Sequence, residues 1–205
     1  MISQIHSTYQ LQPAQNIFLQ SLAPLRPGSW GRTDVEEIKA EIHRQLLVIQ
    51  KNNCCYCGLK VNEGGRAEID HIAKKGGTRR PAYTEFIFTP KNLAISCQYC
   101  NSSSKKGQDD VLSYADLTNY DNCTFKIVHP YKHNPQAHYN WSKGKYKILI
   151  SAVSPEAMYS IELFELDSEA HTLARAKQVM FESKLAKYNQ RQAIKQRVLN
   201  ILKFR

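Results

Sequence analysis

No stretch of this 205-residue chain approaches the roughly 18 consecutive apolar residues that a membrane-spanning helix needs. Nor is there a basic segment followed by an apolar one that would act as a secretory signal. The six cysteines are therefore expected to sit in a reducing, cytoplasmic setting, away from membranes, where thiols stay free of disulfides. Nothing repeats at a fixed period, which excludes solenoids and propellers. A phosphate-cradling Gly-x-x-x-x-Gly-Lys-Ser/Thr loop is absent, so any use of ATP belongs to another protein. No helix-turn-helix or extra finger is evident that would read base sequence. Acidic residues also stop at Glu182, leaving the last part of the chain without a negative side chain.

What is present is concentrated in a short window. Cys54 and Cys57 have two residues between them, as do Cys97 and Cys100, so each pair can present two thiolates to one tetrahedral metal. Together they predict a structural zinc site. The 39 residues from Cys57 to Cys97 exceed the loop of a simple zinc ribbon, so the clamp is expected to pin an inserted subdomain. Cys55 competes with Cys54 for a place in the first pair; the two-residue gap favours Cys54. Cys123 has no partner at ligand spacing and is read as a small buried residue.

Inside that window the apolar residues Ala67, Ile69 and Ile72 alternate with polar ones, as in a short strand ending at Asp70-His71. Successive side chains of a strand face opposite ways, so these two can serve one site only near the strand's end. An imidazole can take a proton from water at neutral pH. A carboxylate can hold a hard cation, which in turn stabilises charge building on a phosphate. Asn92 is placed to orient the imidazole, and Asn101 to lend the cation a carbonyl oxygen or to cap a helix. Lys74, Lys75, Arg79 and Arg80 follow His71, and Lys105 and Lys106 follow Asn101. Both clusters are candidates for gripping nucleic-acid phosphates.

The string Cys54-x-x-Cys57-Gly58, Ile69-Asp70-His71-Ile72, Asn92-Leu93, Cys97-x-x-Cys100-Asn101 and Lys106-Gly107 resembles the HNH endonucleases. That resemblance implies an α+β fold with a zinc-clamped ββα-metal core and cleavage of phosphodiester bonds. It gives His71 the role of general base, Asn92 that of positioning it, and Asp70 and Asn101 those of ligands to a catalytic Mg²⁺ or Mn²⁺. Asn101 stands where the motif more often has histidine; the H-N-N version also occurs in active members, including the HNH domain of RNA-guided nucleases. A further string, His129-Pro130-Tyr131, Asn134-Pro135, His138-Tyr139 and Ile161 to Arg175, resembles the small HNH nucleases of Septu-type and retron-associated phage-defence operons. Those are encoded beside an ATPase, which implies a separate ATPase subunit as partner. In that second string Asp167 replaces the commoner asparagine. DNA is the favoured substrate. A stand-alone restriction or homing enzyme, an RNA-cleaving effector and a zinc-bound nucleic-acid-binding module without catalysis are the alternatives.

The rest of the chain is expected to frame this core as an arm over 1–32, a nuclease core over 33–125 and an extension over 126–205. Thr33-Asp34-Val35-Glu36 reads as a capping box, and Val35, Ile38, Ile42, Leu46 and Ile49 as the apolar stripe of the helix it starts. The polar first 30 residues are either an arm that orders on a partner or one folded against its own domain. A strand is expected within 146–153, a strand or short helix over 160–166, and a long helix or helix pair from Ser168 onward. The net charge of +10 comes largely from Lys184, Lys187, Arg191, Lys195, Arg197, Lys203 and Arg205, a surface suited to phosphate backbone.

Overall fold

The computed structural model describes residues 1–61, 65–76, 82–143 and 146–203. Its α-helices are α1 (Pro13–Ser21), α2 (Glu36–Ile49), α3 (Pro135–His138), α4 (Pro155–Phe164) and α5 (Glu169–Lys203). The strands are β1 (Ala67–His71), β2 (Leu93–Cys97), β3 (Leu112–Tyr114), β4 (Thr124–Phe125), β5 (Tyr139–Trp141) and β6 (Ile150–Ala152). They pair as three antiparallel two-stranded sheets, β1–β2, β3–β4 and β5–β6. The fold is thus mixed α and β.

A two-stranded hairpin alone is marginal in water, so each sheet needs apolar cover. For β1–β2 that cover is α2, whose Val35, Ile38, Ile42 and Leu46 are buried at the spacing expected for its stripe. Gln50 closes the helix onto the hairpin, accepting from the Ile95 N–H at 2.7 Å and donating to its carbonyl at 2.9 Å. The expected capping box is not formed: Thr33 to Val35 make a 3₁₀ turn, and Val35, with no side-chain cap, stands at the helix start.

The first 30 residues fold against their own domain. Ile5, Tyr9 and Leu19 are buried, the Ile5 N–H reaches the Pro130 carbonyl at 2.8 Å, and the Tyr9 hydroxyl donates to the Phe88 carbonyl at 2.7 Å. The segment around Ile17-Phe18-Leu19 is helical as α1, which ends before Pro24 and Pro27. The expected strand near 150 and the long helix after Ser168 are present, and 155–164 is helical.

One difference bears on the core. No α-helix starts directly after Cys100: residues 101–108 close in turns and a single 3₁₀ turn, Lys106–Gln108. The helix that completes a ββα-metal unit is not formed there, and Asn101 caps none. Three successive serines offer side-chain bonds that compete with a helical backbone. The Lys106 side chain is also drawn inward, as described below.

His129 ties the second half together. Its Nδ1 accepts the N–H groups of Tyr131 and Lys132, so Nε2 carries the proton and donates to the Tyr120 oxygen at 2.9 Å. Complete burial holds its pKa well below the ordinary imidazole value. The unfolded chain therefore binds this proton first as pH falls, and the stability tied to a neutral His129 is lost on acidification. We expect the urea midpoint to hold between pH 8 and 7 and to drop below about pH 6.5, the unfolded value. His129→Phe should flatten that drop in urea titrations; a parent midpoint independent of pH down to 5 would contradict it.

Candidate metal centre and base site

Two turns of the same build hold the four cysteines. In the first, the Gly58 N–H returns to the Cys54 carbonyl at 3.0 Å; in the second, the Asn101 N–H returns to the Cys97 carbonyl at 3.1 Å. Each turn points its two sulfurs inward. Gly58 has a positive φ of 71°, and a Cβ there would lie 2.7 Å from the backbone of Ile2, so this position needs glycine on both counts.

The sulfurs of Cys54, Cys57, Cys97 and Cys100 lie within 4.8 Å of one another, with Cys57 and Cys97 at 3.9 Å. Zn–S bonds of about 2.3 Å in a tetrahedron place sulfurs about 3.8 Å apart, so the donor set fits zinc. Cys55 is not in the group: it is buried beside it, its N–H bound to the Ile95 carbonyl, and burial first, then the neighbouring Cys54, pushes its thiol pKa up. Cys123 is buried with no metal-ligating partner among the described residues.

The cysteines grip one end of the β1–β2 hairpin and Asp70-His71 occupy the other. Ala67 faces Cys97 across the pair, and His71 faces Leu93. Four strand steps of about 3.4 Å separate the two ends, so the thiolate site anchors the hairpin at a distance from His71.

Asn92 secures the His71 end. The chain from Ile72 to Asn92 forms a long connection, and the Ile72 N–H reaches the Asn92 carbonyl at 2.9 Å. The Asn92 side chain accepts from the Ala73 N–H at 2.6 Å and donates to the carbonyls of Ala73 and Phe86 at 3.1 and 2.9 Å. None of these bonds is to His71; they fix the backbone that follows it, at Ala73 and Phe86. The neighbouring Ile87 carbonyl lies 3.2 Å from His71 Nε2. A carbonyl only accepts, so Nε2 carries the proton and Nδ1 keeps its lone pair. The Trp30 ring meets the imidazole edge-on at 4.5 Å. Burial first, then Lys75 and Lys106, pulls the His71 pKa well below its ordinary value, so the ring is neutral.

Asp70 has a different environment. Its Oδ2 accepts from the Tyr56 hydroxyl at 2.5 Å and its Oδ1 from Lys106 Nζ at 2.9 Å. Lys106 Nζ also donates to the His71 carbonyl. All three side chains are buried, Lys106 to 1% exposure. Tyr56 is fixed by stacking on Phe164 at 4.3 Å, and burial first, then Asp70, raises its pKa so that it remains a donor. Asn101 is bound instead to Glu68, by Nδ2 to Oε2 at 2.8 Å. Glu68 and Asp70 share one face of β1 by alternation.

The expected Mg²⁺ or Mn²⁺ ligands, Asp70 and Asn101, thus do not form a ready cation site. Both Asp70 oxygens are engaged, one by an ammonium group, and the cysteine set is the only group of metal-ligating side chains among the described residues. The expected phosphate-gripping cations also differ from the sequence reading. Lys106 is consumed by Asp70. Lys105 pairs with Glu165 and lies over the Tyr99 ring at 5.3 Å. Lys74 is buried, and Arg79 and Arg80 lie outside the described residues. Lys75, half-buried, is the member of the set left beside His71; burial lowers its pKa, with Asp70 opposing.

Tyr56, Trp30, Glu68 and Lys39, which helps depress His71, were not singled out in the sequence. Tyr56 had a signal, as the residue inside the first cysteine turn. Trp30 and Lys39 lie far from His71 in sequence and reach it only through tertiary packing.

No known family model matches this chain, and no curated protein matches its sequence.

We expect one zinc per chain by elemental analysis, lost in Cys54→Ser and retained in Cys55→Ser; the reverse pattern would reassign the first ligand. Structural zinc carries about 10–16 kcal/mol of apparent folding free energy, so Cys54→Ser should also unfold the hairpin. Lys106→Met leaves the Asp70 carboxylate buried without its counter-charge and should cost about 3–5 kcal/mol in urea unfolding. Asp70→Leu added to Lys106→Met should recover part of that loss.

Proposed function

We propose that this chain is an HNH-type endonuclease that hydrolyses phosphodiester bonds in nucleic acid, DNA before RNA. The observation that carries the reading is the state of His71. Its Nε2–H rests on the Ile87 carbonyl, which leaves Nδ1 of the neutral ring unprotonated at the end of the β1–β2 pair opposite the four-cysteine group. Such a nitrogen can take the proton of a water as its oxygen attacks phosphorus. Lys75 supplies positive charge beside it for the phosphate oxygens.

The Mg²⁺ or Mn²⁺ of HNH enzymes would have to take Asp70 from Lys106. The proposed partner is a separate ATPase subunit of a phage-defence complex, because the string from His129 to Arg175 resembles the small nucleases encoded beside such an ATPase. With no phosphate-binding loop in the chain, any use of ATP would fall to that partner. A second reading, a zinc-bound nucleic-acid-binding module without catalysis, is favoured by the lysine held against Asp70 and by Asn101 turned to Glu68.

The test is to incubate the zinc-loaded protein with plasmid DNA and with tRNA, with Mg²⁺, with Mn²⁺ or with neither, alone and with any ATPase captured with it from its host. We expect strand cleavage that falls about 10²–10⁴-fold in His71→Ala, the usual contribution of a general base. Binding without cleavage in every arm would sustain the second reading instead.

A further inference from the structure

The first turns of α5 are tied to the body. His171 and Arg175 are buried, Arg175 donates to the Leu166 carbonyl at 2.9 Å, and Gln178 reaches the Lys60 N–H at 2.9 Å. Farther along, the helix leaves its support: from Lys184 to Arg197 every residue is exposed. A helix this polar with no packing partner lacks the tertiary contacts that ordinarily hold helices together.

Its charges are arranged, not scattered. At 100° per residue, Lys177, Lys184, Lys187, Arg191 and Lys195 fall within an arc of roughly 80° and run for about 27 Å along the axis. Phe181, Tyr188 and Leu185, all exposed, lie along the adjoining edge of that arc. None of the five cations has an ion-pair partner among the described residues, and no acid follows Glu182. Lys184 with Lys187, Lys187 with Arg191, and Arg191 with Lys195 are neighbours at three or four residues, where like charges repel and destabilise a free helix. The stripe is therefore unfavourable alone and favourable beside a polyanion.

We propose that this face of α5 is a docking track for the phosphate backbone of duplex nucleic acid, separate from the His71 end of the hairpin. The choice rests on reading nucleic acid as the substrate. It also rests on charge: five unpaired cations in a line match a continuous row of phosphates, which needs no pockets or acids in return. A second copy of the chain is the wrong occupant, since it would bring the same positive stripe.

The experiment measures binding, without cutting, of a fluorescently labelled 20-base-pair duplex by anisotropy, with no divalent cation added and salt raised from 50 to 200 mM. The variant carries Lys177→Gln, Lys184→Gln, Lys187→Gln, Arg191→Gln and Lys195→Gln, all good helix formers. A control removes the same number of charges elsewhere, by Arg26→Gln, Arg44→Gln, Lys126→Gln, Lys143→Gln and Lys147→Gln. Each neutralised phosphate contributes about 0.9 to the slope of log affinity against log salt. We expect the α5 variant to lose about 4 from that slope and the control to lose less than about 1. Equal losses in the two, or an unchanged slope in the α5 variant, would overturn the assignment and leave the stripe to an acidic protein. Because cutting is not read, a wild-type chain that binds duplex through α5 yet never cleaves it would sink only the nuclease reading.

Discussion

The ion pair between Lys106 and Asp70 organises the half of the molecule that holds the cysteine turns and the β1–β2 pair. An ammonium buried to this extent is tolerated only with a matched charge and further hydrogen bonds, and it has both, from the Asp70 carboxylate and the His71 carbonyl. Drawing the Lys106 side chain in from the turn after Cys100 brings that turn against the end of β1. The Tyr56 hydroxyl, from the other cysteine turn, completes the contact on the remaining Asp70 oxygen. The two cysteine turns are thereby joined twice, once through their sulfurs and once through one carboxylate. Removing the pair would free both turns from the strand that displays His71.

The same pair separates two jobs that the sequence places in adjacent letters. Asp70 and His71 leave the strand on opposite faces. One is taken up by internal bonds, and the other keeps a free nitrogen. A neutral His71 is favoured by its surroundings, because burial and then the charges of Lys75 and Lys106 weigh against a charged ring.

Much of this was legible from residue order. The cysteine spacing gave the metal group, the alternation of Ala67 to Ile72 gave β1, and the stripe from Val35 gave α2. These are signals of local geometry, where spacing maps directly onto a turn, a strand or a helix face. Legibility ended where a side chain's partner lies far away in the chain. Lys106 looked like a surface cation because nothing nearby hints at a carboxylate 36 residues earlier. Lys105 looked the same, and its partner Glu165 stands at the far end of α4. Asn92 was read as orienting the imidazole, and its side chain binds the backbone of Ala73 and Phe86. The segment after Asn101 was expected to start a helix, and its serines and the inward lysine kept it in turns.

The placement of Cys97 has a consequence for the strand pairing itself. A two-stranded antiparallel pair can slip by one residue, and such a slip would exchange its faces, sending Asp70 away from Tyr56 and Lys106 and His71 away from Ile87. Cys97 is both the last residue of β2 and a member of the sulfur group, which fixes the end of β2 to the two cysteine turns. Tyr56 and Lys106, borne by and just after those turns, then hold Asp70 in the alignment that sets Ala67 opposite Cys97. A metal held by the four sulfurs would act as a key for alignment: by locking the two turns together it would favour, among possible pairings, the one in which Asp70 meets Tyr56 and Lys106 and His71 meets Ile87.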